Sequence, residues 1–166
     1  AEVLDPQDLR NIANELIAGI EKDKASREDW EKTYKDGLEY LGMRFDEERS
    51  EPFAGASGVI HPLLGEAVTT FQAQAYKELL PAGGPVKTQV IGAYDSLAEE
   101  QAQRVKEFMN YQITHVMEEF DEELDQMLFY LPLAGSAFKK VYYDEGLGRA
   151  VSKFVAPEDL IVPYYT

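Results

Sequence analysis

Apolar positions in the first half of the chain recur at steps of three and four. Leu9, Ile12, Ala13, Leu16, Ile17 and Ile20 follow Asp5-Pro6, a good N-cap and then a residue tolerated at the first helical position. The spacing predicts an amphipathic helix to about Lys24. Ser26 is placed to cap a second helix bearing Trp30, Tyr34, Leu38 and Leu41, which ends near Gly42. Residues 47–58 read as loop. Pro62 then restarts a helix to about Leu80, with Leu63, Leu64, Ala67, Val68, Phe71, Ala75 and Leu79 as its expected buried face. "PAGGP" (81–85) stops that helix, and "VKTQVIG" (86–92) alternates well enough for a short strand.

The second half carries a longer stripe. Ser96 and Glu99 have capping-box spacing, and Ala98, Ala102, Val105, Met109, Ile113, Val116, Phe120, Leu124, Met127 and Leu131 follow at helical steps. This is one very long helix, or two nearly collinear ones with a break near Glu118 and Glu119. Pro132 and Gly135 are expected to end it. "AFKKVYYDEGLGRAVSKFV" reads as a hairpin turning at Gly146 and Gly148, and "APEDLIVPY" as the start of another strand. The fold class is therefore α+β: long amphipathic helices with a small antiparallel β-hairpin. There is no internal repeat and no low-complexity tract.

A length of 166 residues suits one domain. The chain opens at Ala1 without a methionine and stops just after Leu160 to Val162, so it reads as part of a longer protein. No apolar run approaches the roughly 20 residues that span a bilayer, which predicts a soluble chain with no membrane role. The absence of cysteine excludes a disulfide framework and a thiolate zinc site. The formal net charge of −15 repels phosphate backbones and argues against tight nucleic-acid binding. More than half of that excess sits between Asp95 and Leu131. The densest run, "EEFDEELD" (118–125), keeps Phe120 and Leu124 on helical spacing, so it reads as a solvated acidic face rather than a calcium loop.

Catalytic chemistry is sparse. The five small residues 54–58, in "EPFAGASGVIHPLLGEAV", could form an anion nest beside a helix start. No Walker-type lysine follows them, and a tightly packed turn is the preferred reading. Lys87-Thr88 resembles the end of a P-loop but lacks the preceding glycine and the following helix. His61 has no carboxylate close by, Glu66 being the nearest acid downstream, and reads as a turn histidine. His115 has Glu118 and Glu119 one turn away, yet no second histidine or cysteine within reach for a metal. These residues offer no catalytic, cofactor or metal site.

Two blocks carry a resemblance. "PFAGASGVIHPLLGEAVTTFQAQAYKELLPAGGPVKTQVIG" (52–92) resembles a stretch near the N-terminus of portal proteins of tailed double-stranded DNA bacteriophages, particularly short-tailed ones. "DEELDQMLFYLPLAGSAFKKVYYDEGLGR" (121–149) is similar to the next segment of that family, a long helix leading to a β-hairpin. The resemblance covers about residues 51–164. It implies that residues 1–166 are the N-terminal portion of a wing-type domain, with the stem and crown lying beyond Thr166.

It further implies a homo-oligomeric ring, usually a dodecamer, at the portal vertex of the virion, assembled in the host cytoplasm. Expected partners are the terminase large subunit, head–tail adaptor and tail proteins, major capsid and scaffolding proteins, and double-stranded DNA in the channel. An acidic wall suits such a conduit, because tight phosphate contacts would stall translocation. On this reading Phe53, Gly55, Ser57, Ile60 and His61 form a candidate subunit interface, the small residues allowing close backbone approach. The alternatives are a phosphate- or metal-dependent enzyme domain using residues 54–58 and His61, and a helical scaffold or adaptor module of a non-viral complex.

Overall fold

Asp5 starts the first helix, its carboxylate accepting from Gln7 N at 3.3 Å. In the computed structural model, which describes residues 5–42, 53–56, 61–92 and 95–164, this helix, α1, runs Pro6–Ser26. It is followed by α2 (Glu28–Leu41), α3 (Leu63–Leu79), α4 (Ser96–Tyr111), a π-helical turn (Gln112–Val116) and α5 (Phe120–Ala134). Strands β1 (Phe138–Asp144) and β2 (Arg149–Val155) then pair as an antiparallel hairpin. The architecture is α+β, as expected. The chain divides into two units, Ala1–Ile60 with Glu158–Thr166, and His61–Pro157.

Arg27 organises the first unit. Ser26 does not cap α2; its hydroxyl turns back to Asp23 O at 2.7 Å and makes it the last residue of α1. Arg27 occupies the junction, with its guanidinium 4.9 Å from the Trp30 ring and bonded to Glu31 at 2.9 Å. The same fork donates to Leu160 O at 2.6 Å and Glu158 O at 3.1 Å. The expected strand at "APEDLIVPY" therefore does not form. Its carbonyls are taken by a side chain rather than a ladder, and Pro163 has no N–H to give one. Trp30 stacks on Tyr34, the buried residue of α2. The apolar stripe of α1 stays open, from 45% exposure at Ile12 to 62% at Leu16.

The second unit is built on α5. Helix α3 lies antiparallel to it, because Gln72 donates to the Asp125 carboxylate at 2.8 Å and Tyr76 O–H donates to Asp121 one turn further on. The contact line of α3 is thus Leu64, Val68, Gln72 and Tyr76. Leu63, Ala67, Phe71 and Leu79, expected inside, are exposed. Val68, Leu124, Leu128, Ala134 and Val151 make up the buried apolar core of this unit.

Other expectations move for local reasons. Asp95, one residue before Ser96, caps α4 by accepting from Leu97 N. The stripe on α4 is open at Val105 and Met109, whereas on α5 it is covered. The long helix does break at the acidic pair. The turn at 112–116 widens until Met117 N donates to Gln112 O at 2.9 Å, and Met117 then leaves helical geometry. Pro132 is accommodated inside α5, which continues to Ala134.

Residues 86–92 form no strand. Asn110 of α4 takes both backbone groups of Val86, accepting from its N–H at 2.9 Å and donating to its C=O at 3.2 Å, so a side chain replaces a neighbouring strand. Gly84 permits this approach. Its φ is 89°, and a Cβ there would meet the Asn110 side chain at 2.5 Å.

Truncation should separate the covered stripe from the open one. Leu128→Ala, at a position 2% exposed, should cost about 2–5 kcal/mol in urea unfolding. Leu9→Ala, at a position 51% exposed, should stay within about 0.5 kcal/mol of the parent. Equal losses would mean that α1 is buried in solution.

Candidate functional site

The small-residue stretch forms a tight turn where it is described. Ala56 N donates to Phe53 O at 3.0 Å, and Gly55 has a φ of 88°. That is the third position of a four-residue turn, where a positive φ favours glycine. Phe53 is 69% exposed, and among the described residues nothing crowds Gly55. Ser57 and Ile60, two of the five candidate interface residues, lie outside the described residues. His61 is exposed just before α3 and belongs to the other unit.

His115 takes a local role. Its ring stacks on Tyr111 at 5.3 Å, and its Nδ1 lies 2.6 Å from Thr114 Oγ1. Glu119, which spacing offered as a companion, is engaged elsewhere. Among the described residues no group of three or more histidine, aspartate or glutamate side chains could hold a metal ion. No described helix is long and apolar enough to cross a membrane.

The acidic run 118–125 departs most from expectation. Successive helical residues turn by about 100°, so Glu119 and Glu123 fall on one side of the Phe120–Leu124 ridge and Asp121 and Asp125 on the other. Asp121 and Asp125 receive Tyr76 and Gln72 of α3. On the opposite flank, Glu119 accepts from Ser152 N at 3.0 Å and from Arg149 at 2.7 Å, and Glu123 accepts from Phe154 N at 2.6 Å. The geometry matches, since four helical residues rise about 6 Å and two strand residues about 6.6 Å. Four of the six acids are thus structural ties, and the solvated-face reading holds only for Glu118 and Glu122.

Charge in this junction is held in place. Burial alone would raise the Glu119 pKa, but bonds from Ser152 N, its own amide and Arg149, with the Arg149 charge, pull it below the usual glutamate value. Tyr76 is raised above the usual tyrosine value, chiefly by its bond to Asp121 and then by burial, so its proton is firmly held. Lys139 lies with its ammonium 3.6 Å from the centre of the Phe120 ring, in a spot where Nζ is buried with no hydrogen-bond partner among the described residues. Burial lowers its pKa, and Glu123 and Glu119 act against that shift.

Beside this junction lies a cavity of about 270 Å³ whose lining includes Leu80, Pro85, Ile113, Met117 and Phe120, with the bonded Tyr76–Asp121 pair. Both polar groups of that pair are already engaged. The arrangement ties a helix to a strand edge and to a second helix; its chemistry is that of a clamp.

Reasoning from the sequence missed Glu119, Glu123 and Arg149. A signal existed in the i, i+4 pairing of the acids, but solvated helix faces share it. Comparisons with protein-family models, with curated proteins and with solved structures give no match.

The depressed Glu119 pKa fixes the sign of an acid effect. Its stabilisation is complete above the usual glutamate range and is lost as pH falls through the lower folded-state value. Glu119→Gln should therefore cost about 1–3 kcal/mol at pH 7 and flatten the acid limb of the stability profile. Glu122→Gln should leave both within about 0.5 kcal/mol. Urea midpoints from pH 3 to pH 7 measure both; parallel profiles for parent and Glu119→Gln would remove Glu119 from the clamp.

Proposed function

We propose that this chain is the N-terminal part of a portal-type ring protein, a structural conduit for DNA rather than an enzyme. One observation carries the reading. The two blocks that resemble the family, 52–92 and 121–149, are distant in sequence, yet α3 of the first packs along α5 of the second through the Gln72–Asp125 and Tyr76–Asp121 pairs. Their pairing supports the idea that both blocks were kept as one structural piece. The open apolar positions on α1 and α4 agree with a subunit that completes its packing in an assembly.

On this reading subunits close into a ring, about twelve by analogy with the family, at a capsid vertex. They dock the terminase and the tail or adaptor proteins and pass double-stranded DNA. A cyclic ring uses a heterologous interface, one patch meeting a different patch on the neighbour. The turn at 53–56, with Phe53 outward, is the candidate patch.

The test is the mass of the full-length protein by sedimentation, with negative-stain images. A closed ring supports the proposal; a monomer at micromolar concentration sinks it. Within that experiment, Ala54→Trp is the probing substitution, because Trp at Gly55 would also strain a φ of 88°. Ala54→Trp should abolish or weaken ring formation by at least about tenfold in assembly concentration while leaving helix content unchanged, as read by circular dichroism. Normal assembly of that variant would move the interface away from the turn.

A further inference from the structure

The hairpin has two edges, and they are treated differently. The amides of Ser152 and Phe154 point away from β1 and are taken by Glu119 and Glu123, so the β2 edge is closed. In an antiparallel pair, directly opposed residues share one bonding state. The partners of Ser152, Phe154 and Ala150 are Val141, Lys139 and Tyr143. The N–H and C=O groups of these three therefore point outward along the free edge of β1. Among the described residues none of them meets a backbone or side-chain partner there. Val141 and Tyr143 are each 65% exposed beside this open row.

Charge narrows what fits. Lys140 and Lys153 stand directly opposite each other, both exposed, in a chain of net charge −15. Like charges placed so oppose pairing. Three of the neighbouring charges are engaged: Arg149 with Glu119, Asp144 with the amides of Gly146 and Leu147, and Lys139 with the Phe120 ring. Among the described residues Lys140 has only the Tyr142 ring, at 5.0 Å. A strand added beside β1 would set alternate residues next to Lys140 on one face and next to Val141 and Tyr143 on the other.

We propose that the free edge of β1 accepts an extended acidic segment of a partner protein, which adds a third strand with carboxylates on the Lys140 face and apolar side chains on the Val141 and Tyr143 face. This does not depend on the ring reading, and the ring experiment does not touch this edge. At about 0.15 M salt the screening length is about 8 Å, so distant acids of the chain are damped while contact with Lys140 is not.

The probe is a labelled peptide, acetyl-Thr-Val-Glu-Val-Glu-Thr-amide, titrated against the 166-residue chain by fluorescence anisotropy and compared with its lysine-for-glutamate counterpart. The acidic peptide should bind about tenfold tighter, as expected when Lys140 attracts its glutamates and repels the lysines of its counterpart. Val141→Pro removes an outward N–H that the hairpin ladder does not use, a placement proline tolerates on an edge strand. It should abolish binding with the circular dichroism spectrum unchanged. The double variant Lys140→Glu with Lys153→Glu keeps a like-charge pair and should reverse the peptide preference, which decides the matter if Val141→Pro disturbs the hairpin. Equal binding of both peptides, no binding of either, or full binding by folded Val141→Pro would overturn the proposal. So would a dimer of the chain that Val141→Pro dissolves while the peptide fails to bind, because the edge would then belong to a second copy.

Discussion

Two carboxylates, four residues apart at the start of α5 (Glu119 at its N-cap and Glu123 in its first turn), hold the outward amides of two β2 residues, two apart on the strand. An isolated hairpin is at best marginally stable in water. Here one edge is anchored by charge-assisted hydrogen bonds, a class stronger than neutral pairs. Without them the helix and the strand would meet along unsatisfied backbone groups, and burying such groups is costly. The rest of the second unit follows from this tie. It sets the rotation of α5, which turns Leu124 and Leu128 inward and leaves Asp121 and Asp125 to receive α3.

The same constraint explains the helix break. If α4 and α5 were continuous, Glu119 would sit mid-helix at a bearing dictated by α4. The π-helical turn and the non-helical Met117 free that bearing, so Glu119 meets both Ser152 N and Arg149. Wide turns of this kind occur mostly as single-turn interruptions of α-helices. The position of Lys139 is a by-product. Its ammonium lies over the ring of Phe120, one of the residues between the two clamping glutamates, where ring attraction and nearby carboxylates partly offset desolvation.

Side chains also stand in for secondary structure elsewhere. Asn110 holds Val86 as a strand would, and Arg27 holds the carbonyls of Glu158 and Leu160. Both cases satisfy backbone groups that otherwise need a ladder or water. Both also explain why segments with strand-like alternation stay unpaired.

What the sequence determined by itself is local. Spacing of three and four located every described helix, Asp5-Pro6 set the first helix start, and the glycines at 146 and 148 marked the hairpin turn. The interruption near Glu118 and Glu119 was legible because two adjacent acids precede a new apolar run. Which stripes are buried was not legible, since α1 and α5 carry similar patterns and only α5 is covered here. Nor were the partners of the acidic run. A carboxylate at a given helical bearing is solvated or bonded according to what lies opposite, and for Glu119, Glu123, Asp121 and Asp125 those groups come from segments about 30 to 53 residues away. Only the tertiary structure brings the β2 amides and the α3 side chains to those bearings, and only it leaves one hairpin edge closed and the other open.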